Sequence, residues 1–257
     1  MNKRFPFALS LSVSLFMLSA GVFPVVFAYQ IEYNSHWQIS SGSMNPTLEV
    51  LDWVYVKNVS GQAEVYASYG DGDIILFRKP GDPNQFIIHR AVEKFQSDTI
   101  WYFKAKADNN VAVDPWDIPE DHVVGKVLAF SRIHQVNSQD VTIFSNSVFG
   151  DFHLNSSINA LELDIGSYLT QSAPNSFLNI TIPNELVTGE LDVLANRLPI
   201  PFEHSTNATH HFIWFDWEGT NYTADIILPE LPRFLILPFF MIATLLATIL
   251  YRRKHSM

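Results

Sequence analysis

The chain has 257 residues, 16 basic and 26 acidic, a formal net charge of −10, and no cysteine. That length accommodates about two modest domains. The missing cysteines exclude disulfides, thiol nucleophiles, thiolate metal sites and iron–sulfur clusters, and the acidic balance argues against a nucleic-acid partner.

Residues 5–28 are uncharged and follow Lys3 and Arg4; residues 234–251 are uncharged and precede Arg252, Arg253 and Lys254. Each approaches the roughly 20 apolar residues that a hydrocarbon core requires. Basic residues flank the outer end of both spans, so the positive-inside rule predicts two cytoplasmic termini and an extracytoplasmic segment over 30–230. All 26 acidic residues fall in that segment, where 10 basic ones leave a net charge of −16. Such a segment is repelled by anionic headgroups and would approach a bilayer through apolar side chains. Ala28 closes the first span with a small residue, as cleavable signal peptides do, but the stretch is long for one, so a retained anchor is expected. Five Asn-X-Ser/Thr sequons, at Asn58, Asn155, Asn179, Asn207 and Asn221, all lie in the outer segment and agree with this topology.

A dozen positions after the first span comes Ser41-Gly42-Ser43-Met44-Asn45-Pro46-Thr47. Gly42 relieves crowding beside Ser43 and Pro46 fixes the backbone direction, a way to expose a hydroxyl nucleophile on a constrained turn. Short runs rich in Val, Ile and aromatics then predict strands at 53–59, 73–77, 86–93, 100–106 and 123–130, separated by turn clusters such as 69–72 and 79–84. Residues 134–140 read as a polar linker. Beyond it, further runs at 160–165, 177–182, 191–195, 211–217 and 222–228 predict an evenly spaced β-sandwich, taken as a spacer or interaction module.

A serine hydroxyl needs a base to take its proton. His89 interrupts the apolar run Phe86-Ile87-Ile88-His89-Arg90-Ala91-Val92, and the turn Lys106-Ala107-Asp108-Asn109-Asn110-Val111-Ala112-Val113-Asp114 offers two aspartates that could orient an imidazole. Taken alone, His89 is an ordinary strand histidine and each aspartate is ordinary turn chemistry.

In this order, the Ser41–Thr47 motif, Gly72-Asp73-Ile74-Ile75, Ile88-His89-Arg90, the Lys106–Asn110 run with the later Asp114, and Gly125-Lys126-Val127 resemble type I signal peptidase over about residues 38–130. Histidine, where the bacterial form has lysine, points to the archaeal and endoplasmic-reticulum branch. The resemblance implies that Ser43 is the nucleophile, His89 its general base, Asp114 the triad partner and Asp108 a residue that holds the site together. It further implies that Ser41 joins the Ser43 amide in an oxyanion hole, and that Gly72 and Asp73 support the strand beside the site. Ala107 stands where the family usually has glycine, and 48–52 lacks the family's Pro-Gly.

The expected architecture is mainly β: an anchor at 1–29, a signal-peptidase-like catalytic domain at 30–133, a β-sandwich module at 134–230, and a transmembrane helix with a basic tail at 231–257. The expected activity is serine endopeptidase cleavage of signal peptides from exported preproteins, at an archaeal plasma membrane rather than an endoplasmic reticulum. The partners would be preproteins, the bilayer and the translocation machinery, with no cofactor. The rival expectations are a surface binding protein with a relic peptidase domain and a protease for one dedicated surface substrate. His204, His210 and His211 lack a carboxylate at recognisable spacing, and Asp114, Asp117, Glu120 and Asp121 lack a calcium loop, so no metal site is expected. Trp53, Trp101 and Trp116 fit either a membrane-dipping edge or a small β core.

Overall fold

The computed structural model describes residues 31–156, 159–169, 176–187, 189–217 and 222–228. The predicted spans at 5–28 and 234–251, and the sequon at Asn221, lie outside the described residues. Among those described the chain is mainly β, and no helix is long and apolar enough to cross a membrane. The strands are β1 (Ser35–Gln38), β2 (Trp53–Asn58), β3 (Ile74–Lys79), β4 (Asp82–Ser97), β5 (Ile100–Lys106), β6 (Ile118–Pro119), β7 (Val123–Val136) and β8 (Gln139–Ser145). The second half adds β9 (Ser147–Asn155), β10 (Ala160–Tyr168), β11 (Ser176–Pro183), β12 (Asp192–Ala195), β13 (Leu198–Pro199), β14 (Glu203–Thr206), β15 (His210–Trp217) and β16 (Tyr222–Ile227).

These strands form an 11-stranded sheet in the order β14-β15-β11-β8-β7-β3-β4-β5-β6, with β2 also on β7 and β1 on β2, and a 5-stranded sheet in the order β13-β12-β16-β10-β9. Ten strands match or contain the core of a predicted run, with β4 and β7 extending well beyond theirs, because β-branched and aromatic residues pack well on a pleated surface. The strands β1, β8 and β9 carry too many polar residues to stand out by composition; each is recruited by a neighbour that pairs with it.

The predicted linker at 134–140 is instead the end of the β7–β8 hairpin. Asn137 and Ser138 both have positive φ (50° and 64°) between the paired residues Val136 and Gln139. Positive φ at both central positions is the type I′ turn, whose twist matches that of paired strands. Asn196 and Arg197 (φ 50° and 66°) do the same between β12 and β13. The boundary expected at 133/134 therefore falls inside β7. The large sheet runs through it into the second half. One cluster of buried side chains draws on both halves, from Met44, Leu48 and Phe130 to Phe149, Leu163, Leu178, Phe215 and Ile226. Each such side chain stabilises the fold by about 1.5–3 kcal/mol when fully buried. A second, smaller cluster holds Ile75, Phe77, Ala91, Phe103 and Ala105.

Candidate active site

Ser43 lies in a single 3-10 turn, Gly42–Met44, entered from an extended Ser41 (φ −142°, ψ 155°). The turn is pinned from below: Met44 is 1% exposed and Leu48 is fully buried, while Ser43 itself is only half-buried. Apolar anchors on the C-terminal side thus leave the hydroxyl accessible.

His89 sits on β4 opposite Ile75 of β3, is 9% exposed, and packs edge-on to Phe77 at 6.4 Å between ring centres. Its Nε2 is 3.3 Å from Ser43 Oγ and its Nδ1 is 2.6 Å from Asp114 Oδ2. The second contact is short and charge-assisted; the first lies at the loose end of the range for an unliganded catalytic pair. Asp114 reaches this position because its backbone N–H donates to Ala105 O at 2.8 Å, folding the 107–114 loop back on the end of β5. The structure thus brings Ser43, His89 and Asp114 into one hydrogen-bonded line.

Asp108 lies off that line. Its carboxylate accepts from Arg90 Nε (2.9 Å) and Nη2 (2.7 Å) and from Thr47 Oγ1 (2.6 Å). The next residue, Asn109, donates its backbone N–H to Ser43 O at 2.9 Å and its side-chain Nδ2 to Gly42 O at 3.1 Å. Asp108, through Thr47, and Asn109 therefore hold the Ser43 turn. Ala107 is absent from the positive-φ positions, so alanine in place of glycine needs no left-handed backbone there.

Gly72 and Asp73 brace the other end of Arg90. Arg90 Nη1 donates to Gly72 O at 2.7 Å, and Ala91 N–H donates to Asp73 O at 2.9 Å. A Cβ on Gly72 would stand 1.9 Å from Ala91 O, so only glycine permits this approach. The fully buried Asp73 carboxylate accepts from Tyr66 N–H at 3.0 Å and pairs with Lys126 at 3.5 Å. Ser41 Oγ is exposed and 3.3 Å from Ser43 Oγ. The Ser43 N–H belongs to a first turn, where amides have no acceptor within the helix. An oxyanion beside Ser43 can draw on both donors.

The site opens into a groove of about 640 Å³ between residues 37–44 and 84–89. Asp82 and residues 86–89 pair with β3 on one side, and pairing with β5 begins only at Arg90. The other edge of that stretch has no strand partner among the described residues. Ile39, Met44, Leu76 and Ile88 give the groove apolar walls, and Trp37 meets Phe86 at its far end with ring centres 4.9 Å apart.

Thr47, Arg90, Asn109 and Arg132 were not singled out from sequence. Thr47, Arg90 and Asn109 do stand inside the quoted motifs. Arg132 has no local signal, because its hydrogen-bond partners are 80 or more residues upstream. Of the histidines set aside as a metal site, His204 and His211 stack with Nε2 and Nδ1 2.9 Å apart, while His210 turns to Thr209. Burial pushes the His204 and His211 pKa values down. Asp117 pairs with Lys104, and no group of three or more metal-ligating side chains occurs among the described residues. Trp53 is 40% exposed, whereas Trp116 packs on the smaller core cluster. No family model matches the chain, and neither a curated protein nor a solved structure matches it.

Proposed function

We propose that this chain is a membrane-bound serine endopeptidase of the type I signal peptidase kind, in the Ser/His branch, removing N-terminal signal peptides from exported preproteins. The observation that carries the reading is the line Ser43–His89–Asp114, with 3.3 and 2.6 Å contacts, at the end of an open strand edge. An unpaired edge recruits an extended peptide through main-chain hydrogen bonds, and the groove walls then select side chains. The finer architecture follows the same reading: a signal-peptidase-like catalytic half, a sandwich-like second half, and anchors at both ends. The workplace would be an archaeal plasma membrane, with the described residues outside and the translocation machinery nearby.

In the mechanism, Ser43 Oγ attacks the scissile carbonyl as His89 Nε2 takes its proton. Asp114 holds the Nδ1–H tautomer and stabilises the imidazolium. The oxyanion is met by the Ser43 amide and the Ser41 hydroxyl. His89 returns the proton to the departing amine, leaving an acyl-enzyme. Water then attacks with His89 again as base and releases the signal peptide from Ser43. Small side chains are expected at the first and third positions before the cut.

The test is preprotein cleavage by membranes containing the full chain. Ser43→Ala and His89→Ala should abolish it. Ser41→Ala should lower kcat by about 10²–10³, the usual loss for one oxyanion donor. Undiminished cleavage by Ser43→Ala would refute the assignment. Equal activity on several unrelated preproteins separates a general processing enzyme from one with a single dedicated substrate.

A further inference from the structure

Arg132, on β7, is 5% exposed. Its Nε donates to Asp52 Oδ1 at 2.9 Å and its Nη2 to Asp52 Oδ2 at 2.7 Å; Nη1 reaches Glu49 Oε1 at 2.8 Å. Nη2 also reaches the carbonyl of Thr47 at 3.4 Å. The same guanidinium lies over the rings of Phe149 (4.8 Å) and Phe130 (5.3 Å), which stack on each other at 4.8 Å. Phe149 belongs to β9 in the second sheet and is 2% exposed. A rigid planar fork fits this combination of carboxylates, carbonyl and ring faces; a lysine ammonium does not.

The geometry points to Arg132 as a positioning residue for Ser43, with Phe149 as its support in the second half of the chain. Thr47 is gripped twice: Arg132 donates to its carbonyl, and its hydroxyl donates a hydrogen bond to Asp108. Asp108 is followed by Asn109, which binds the Ser43 and Gly42 carbonyls. A continuous run of contacts therefore leads from Phe149 through Arg132, Thr47, Asp108 and Asn109 to the nucleophile. The second half is thus part of the device that aims the hydroxyl, not a detachable spacer. The segment 48–52, which departs from the family's pattern, is where Arg132 inserts. This inference rests on the peptidase reading, because it assigns Arg132 a role in that reaction. A misplacement of about 1 Å at the attacking atom is enough to cost on the order of 10²-fold in rate.

The experiment uses the full-length, membrane-embedded chain with Arg132→Met, Arg132→Lys and Phe149→Leu. It measures kcat and KM per folded molecule on a preprotein, the melting temperature, and hydrogen exchange at the amides of 43–48. The expected result is a kcat loss of at least tenfold in Arg132→Met with KM within twofold. A smaller loss is expected in Arg132→Lys, and a severalfold loss in Phe149→Leu, with faster exchange at 43–48 in all three. Should Arg132→Met fail to fold, the milder Phe149→Leu carries the test by itself. Lower melting temperatures with wild-type kcat and unchanged exchange at 43–48 would overturn the proposal while leaving the peptidase reading intact. No cleavage by the wild-type chain would instead remove the peptidase reading, and this one with it.

Discussion

The substitution Asp114→Asn separates the two aspartates by role. In the wild-type chain the Asp114 carboxylate accepts the Nδ1–H of His89 at 2.6 Å, with both side chains largely buried (11% and 7% exposed). In the proposed reaction the other ring nitrogen, Nε2, faces Ser43 Oγ at 3.3 Å and is the atom that would take its proton. An asparagine can present its amide N–H to Nδ1. The imidazole then carries its proton on Nε2, which points a donor at the serine and removes the base. In serine proteases the corresponding change lowers kcat by about 10⁴. That factor corresponds to roughly 5.5 kcal/mol of barrier at 1.36 kcal/mol per decade. The 3.3 Å serine contact is looser than in a fully tightened site, so the expected loss here is about 10³–10⁴ in kcat. Because the side chain keeps its size and one hydrogen bond, melting should change little. Asp108→Asn should do the reverse. It weakens a partly buried ion pair with Arg90, lowering stability more than kcat per folded molecule. The assay is steady-state preprotein cleavage paired with thermal unfolding of each variant. Asp114→Asn with more than a tenth of wild-type kcat, beside a catalytically dead but stably folded Asp108→Asn, would show that the roles have been exchanged.

Leu51 is 69% exposed with φ 80°, a left-handed backbone that costs an L-residue roughly 1–2 kcal/mol. Leu51→Gly removes that strain but adds freedom to the unfolded chain, for a net gain of up to about 1 kcal/mol; a lower melting temperature would contradict this. Burial first, and the neighbouring Arg132 charge second, push the His134 pKa below its ordinary 6.5. The unfolded chain therefore binds this proton more readily than the folded one. The associated stability is fully present above about pH 6.5 and is lost as pH falls through the window toward the depressed value. Urea midpoints should drop between pH 7.5 and 5.5, and His134→Phe should flatten that drop; an equal drop in the variant would assign it elsewhere, His204 and His211 being the other depressed histidines among the described residues.

Much of the fold was legible because strand formation leaves a local trace. Runs such as 100–106 and 160–165 are dense in Ile, Leu, Ala and aromatics, and they became β5 and part of β10. The 134–140 stretch reads as a linker but folds as a hairpin for a physical reason. Asn-Ser is polar enough to look like a linker, yet asparagine tolerates positive φ and so closes a two-residue hairpin. With that turn in place, β8 stays paired to β7, and the large sheet carries on into the second half.

The amino-acid order alone specified the Ser43 turn, the apolar spans, the run that presents His89 and the strand-and-turn rhythm, since each depends on residues within a few positions of one another. It left open which carboxylate would face His89, and it was silent on Arg132. Those contacts join residues 25 and some 80 positions apart, so they exist only once strand pairing has been chosen. Folding decided that Asp114 lies on Nδ1, that Asp108 is held by Arg90 and Thr47, and that Phe149 stands behind the arginine that grips residues 47–52. Local preference sets what a segment becomes; the closing of long loops around a shared core sets what it touches.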